Sequence, residues 1–81
     1  MKTRLEILES DYDSANAQLI ENEINIKVLS SRLITTPPGE EYNVMVRSIS
    51  TRKTNVTQIK QVMDAILQMI GEEKKACQNL N

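Results

Sequence analysis

Three sets of side chains in this chain are of a type that does chemistry: the carboxylate pairs Asp11 with Asp13 and Glu21 with Glu23, the single thiol Cys77, and the basic group Arg47, Arg52, Lys53 and Lys60. Paired carboxylates can hold a hard cation or divide acid and base roles between them. On a helix, however, residues two apart project about 200° away from each other, so these pairs diverge. Cys77 has no second cysteine to pair with, and at a helix position it packs as a small hydrophobe. The basic residues are of the kind that contacts phosphates, but they spread around a helix, lack aromatic rings for base stacking, and belong to a chain with net charge −1. Histidine, the commonest general base and metal ligand, is absent. No phosphate loop, dinucleotide fingerprint, zinc spacing or nucleophile with a base occurs. No catalytic residue, metal site or cofactor is expected, and the chain does not read as an enzyme.

The elements that carry these residues are helical. Apolar residues recur at alternating steps of three and four on both sides of Thr35-Thr36-Pro37-Pro38-Gly39-Glu40-Glu41, the stretch that contains both prolines. Written as heptad a and d positions, the first seam is Leu5, Leu8, Tyr12, Ala15, Leu19, Asn22, Ile26, Leu29 and Leu33. The second is Tyr42, Met45, Ile49, Arg52, Val56, Ile59, Met63, Ile66, Ile70, Glu73 and Leu80. With no Trp or Phe and only two Tyr, the core must be aliphatic and layered, as in a bundle. The expected fold is all-α: a single antiparallel two-helix hairpin, coiled-coil in character, with helices over 3–35 and 41–76, a turn over 36–40 and a frayed tail over 77–81.

Local signals fix the ends. Thr3 and Glu6 have capping-box spacing. Pro37 and Pro38 cannot continue a helix and hold their predecessors out of the α region, so the first helix stops before them. Thr36 or Pro37 is a candidate N-cap for the second helix, whose first turn Glu40 and Glu41 load with negative charge. Gly71 is a candidate C-cap, with Glu72 to Lys75 either a solvated turn or a continuing helix.

Folding the arms about Gly39 predicts that facing residues have numbers summing to 78. Leu33 then faces Met45, Leu29 faces Ile49, Tyr12 faces Ile66, Leu8 faces Ile70, and small Ala15 meets long Met63. The polar seam residues Asn22 and Arg52 fall one turn apart. Polar groups at such positions penalise slipped registers, so the two could lock the register, the alternative being that Arg52 reaches out to Glu23.

A two-helix hairpin needs one apolar stripe per arm, yet Ile20, Ile24 and Val28 lie outside the first seam, and Val62, Leu67 and Met69 flank the second. These six are the expected partner-binding residues. Charge is also uneven: residues 1 to 24 carry Glu6, Glu9, Asp11, Asp13, Glu21 and Glu23 against Lys2 and Arg4, whereas Lys27, Arg32, Arg47, Arg52, Lys53 and Lys60 lie nearer the turn. An antiparallel homodimer forming a four-helix bundle would set unlike ends together. No apolar run approaches the roughly 20 residues of a membrane span, and the start Met-Lys-Thr-Arg-Leu-Glu lacks a signal-peptide core, so the expected location is cytoplasmic.

In the second arm, Val56, Ile59, Lys60, Val62, Met63, Ile66, Leu67, Gln68 and Ile70 read as V-x-x-I-K-x-V-M-x-x-I-L-Q-x-I. This stretch resembles the closing helix of type III secretion needle subunits, which are also small hairpins with a proline-containing turn. Needle subunits usually end at this motif and space their turn prolines apart, whereas here eleven residues follow Ile70 and the prolines are adjacent. The resemblance implies a secretion-apparatus subunit or one of the small hairpin chaperones that keep such subunits soluble. Taken with the residues themselves, the expected function is a non-catalytic assembly module that self-associates or docks on a helical partner as adaptor or chaperone. A filament or needle subunit, and a small nucleic-acid-binding regulator, are the alternatives.

Overall fold

In a computed structural model the chain forms two long helices that pack side by side along their length, α1 (Arg4–Leu33) and α2 (Glu40–Asn79). Residues 1–79 are described, the last two by their backbone only, and no strand occurs among them. The seam position Leu80 lies outside the described residues. The molecule is a rod measuring 65 × 19 × 16 Å.

Thr3 is the N-cap of α1. Its Oγ1 accepts from the Glu6 amide at 3.2 Å, and its own amide donates to Glu6 Oε1 at 3.4 Å, the reciprocal pair of a capping box. At the other end the Arg32 carbonyl, which no further helical turn can satisfy, accepts from the Thr35 amide at 3.2 Å and from Thr36 Oγ1 at 2.7 Å. The helix therefore closes at Leu33, the earlier of the two ends that the sequence allows, Leu33 or Thr35.

The N-cap of α2 differs from the expected Thr36 or Pro37. Gly39 takes that place: its carbonyl accepts from the Asn43 amide at 3.0 Å, and Glu40 and Glu41 are the first helical residues. The prolines sit entirely in the link, where their missing amides cost nothing. Farther along, α2 does not stop at Gly71 but runs through it to Asn79. Gly71 weakens a helix by roughly 1 kcal/mol relative to Ala. It is followed by helix-favouring Glu72, Glu73, Lys74 and Lys75, and Glu73 is tied to Arg4 at 3.2 Å. Of the expected frayed tail, 77–79 are helical and 80–81 lie outside the described residues.

Burial follows the heptads. Leu8, Met45, Ile49 and Met63 form the buried core, and every other described seam position is half-buried. Pairing near the constant 78 is visible along one flank of the seam. Arg4 bonds Glu73, and one inter-helix groove is lined by Ala15, Gln18 and Asn22 from α1 with Asn55, Gln58, Ile59 and Val62 from α2. Met63, which the register sets level with small Ala15, has only 8% of its surface exposed.

Candidate protein-interaction surface

The polar seam residues come out differently from a cross-helix lock. Asn22 is half-buried and turns back on its own helix, its Nδ2 donating to the Gln18 carbonyl at 2.8 Å. Arg52 is half-buried too and lines a groove made by α2 alone, with Val44, Arg47, Ser48, Thr51 and Asn55. Neither bonds to the other. Among the described residues the one ion pair is Arg4 with Glu73, so Arg52 does not reach Glu23 either. Glu23 instead lies along a groove with Ile26, Lys27, Lys53, Val56 and Thr57.

The chemically capable side chains stay apart. Asp11, Asp13, Glu21 and Glu23 are all exposed, and no group of three metal-type ligands forms among the described residues. Cys77 is an exposed free thiol. Lys53 is on the opposite flank of α2 from the groove of Arg47 and Arg52, so the basic group does not converge. No helix among the described residues is long and apolar enough to cross a membrane.

What the structure does present is apolar surface. Ile20, Ile24, Val28, Val62, Leu67 and Met69 are all exposed, Ile24 at 57%. They do not make one patch. Ile20, Ile24 and Val28 occupy the face of α1 directed away from α2; Val62 borders the groove of Ala15, Gln18 and Asn22, while Leu67 borders the opposite one with Glu9, Tyr12 and Asp13. Ile7, Ile34, Val44 and Val46 are further exposed apolar residues that the count of two flanking stripes passes over. Ile7 was legible as a member of the same outer ladder, at heptad spacing from Val28; Ile34 was hidden by its place at the end of the helix.

The outer face of α1 is unusual along its whole length. The column opposite the seam is Ser10, Ala17, Ile24 and Ser31, all exposed and none charged. The same column in α2 is Arg47, Thr54, Gln61, Gln68 and Lys75, the polar composition of a solvated face.

The hairpin also sorts charge into two bands. Near the free ends, residues 5–17 and 61–72 lie side by side and contain Glu6, Glu9, Asp11, Asp13, Asp64 and Glu72 with no Lys or Arg. Nearer the turn, residues 24–36 and 42–54 contain Lys27, Arg32, Arg47, Arg52 and Lys53 with no Asp or Glu. Comparison with protein-family models, with curated proteins and with solved structures finds no match.

Proposed function

We propose that the hairpin is a non-catalytic assembly module, an adaptor or chaperone-like subunit that works by covering its outer apolar surface with another helical surface. Support comes chiefly from one observation: among the described residues the core holds four buried side chains, while eleven large apolar residues remain exposed. The chain exposes 6292 Å², whereas a compact monomer of 9.2 kDa would expose about 4,900 Å². The excess of about 1,400 Å² exceeds the roughly 800 Å² that each partner buries in an ordinary stable interface. Covering Ile20, Ile24 or Val28 is worth about 1.5 to 3 kcal/mol for each side chain fully removed from water.

Ile24→Glu tests this reading, because it puts a charge in the middle of the outer face without touching the seam. The expected outcome is an unchanged helical circular-dichroism spectrum with a reduced molar mass in light scattering. A wild-type chain that is monomeric at every concentration and unfolds as one cooperative unit would overturn it. A filament subunit, the reading that the needle-like stretch favours, would pellet on sedimentation where a closed oligomer stays in solution.

A further inference from the structure

We infer that the outer face of α1 is a self-complementary interface, and that its occupant is a second copy of this chain lying antiparallel across it. This deepens the assembly reading and rests on it.

The charge bands choose the orientation. Along the rod, the acidic band is centred near residue 11 of α1 and the basic band near residue 30, about 28 Å apart at ~1.5 Å per residue. An antiparallel copy whose two-fold axis passes between Ile20 and Glu21 brings each acidic band over the other copy's basic band. Residues 5–17 of one α1 then lie along residues 24–36 of its partner. A parallel copy would stack acid on acid and base on base. Helix axes in contact are about 8 to 10 Å apart, comparable to the ~8 Å screening length at physiological salt, so the bands still sense each other.

The shapes along α1 fit the same register, which charge alone did not have to satisfy. With facing numbers summing to 41, the uncharged outer column meets itself: Ser10 faces Ser31 and Ala17 faces Ile24. Small Ala17 thus meets large Ile24 on both sides of the axis, and the serine pair beyond it is small on both copies, so the column closes on itself without a bulky clash. Near the axis the Ile20 side chains of the two copies come together. The interface lies directly opposite the seam, so the assembly is a row of four helices with the two α1 helices inside, and Val62, Leu67 and Met69 stay outside it.

Cysteine cross-linking in the full chain reads both partner and direction. In a Cys77→Ser background, Ser10→Cys and Ser31→Cys are made separately; both positions are exposed, so neither change disturbs the seam. The expected result is twice the 9.2 kDa chain mass in light scattering and little disulfide dimer from either variant alone. An equimolar mixture of the two, after dissociation and reassociation, should cross-link efficiently. Self-cross-linking of Ser10→Cys as strong as in the mixture would overturn the antiparallel pairing and leave the assembly reading standing. A wild-type monomer without cooperative unfolding would overturn the second copy as occupant, since the face would then await a different protein. A cooperatively folded monomer would overturn both.

Discussion

Met63 and Asn22 show how much a single seam position can weigh in so thin a core. Met63 is among the four buried side chains of the described residues, and two helix backbones of this length cannot close over the void its loss would leave. Met63→Ala should cost about 2 to 5 kcal/mol in urea unfolding, against less than about 0.5 kcal/mol for Gln61→Ala on the solvated face. Asn22 works the other way. Its amide bonds only to the carbonyl of Gln18 on its own helix, so it holds no cross-helix partner that an apolar side chain would lose. Asn22→Leu should stabilise the hairpin by roughly 1 kcal/mol through added apolar burial; a loss of stability in the same unfolding assay would mean that the amide has a partner in the assembled state.

At the scale of elements, the helix ends are set by where backbone groups find partners. The threonines after α1 take up the Arg32 carbonyl, Gly39 accepts the first amide bond of α2, and the prolines sit between. Gly71 lies inside α2, exposed, with nothing within 4 Å of where a Cβ would stand. Gly71→Ala should therefore raise the melting midpoint, by the equivalent of about 0.5 to 1 kcal/mol, since it removes backbone freedom from the unfolded chain at no steric cost. The Arg4–Glu73 pair beside it is partly exposed and contributes little, about 0 to 1 kcal/mol after solvent screening. Extension of α2 beyond Gly71 thus owes more to the good helix formers around it than to that bond.

For the whole molecule, surface is the governing quantity. A 65 Å rod two helices thick cannot hide its apolar side chains from water, and its radius of gyration of 18.4 Å compares with about 12 Å for a compact domain of this length. Opposed charge bands in an antiparallel pair make association sensitive to ionic strength. The dissociation constant should rise with added salt in sedimentation equilibrium, whereas a parallel pair, with like bands stacked, would associate more tightly as salt is added.

The heptad residues by themselves determined the two helices, the reversal at Pro37-Pro38 and the pairing of arms near a sum of 78, because a seam of period 3.5 has one way to bury itself in a hairpin. Thr3 and Glu6 likewise specified their capping box, a contact among near neighbours. Only the tertiary structure decided that Asn22 bonds backward and not across, that Gly39 and not Thr36 caps α2, and that the helix outlasts Gly71. Each of those outcomes is a competition between alternatives a few tenths to about 1 kcal/mol apart. The sequence also named Ile20, Ile24, Val28, Val62, Leu67 and Met69 as residues left over from the seam, but spacing along one helix cannot say which of them border a residue of the other helix. That depends on how the second helix lies against the first, which sets Val62 beside Ala15, Gln18 and Asn22 and Leu67 beside Glu9, Tyr12 and Asp13.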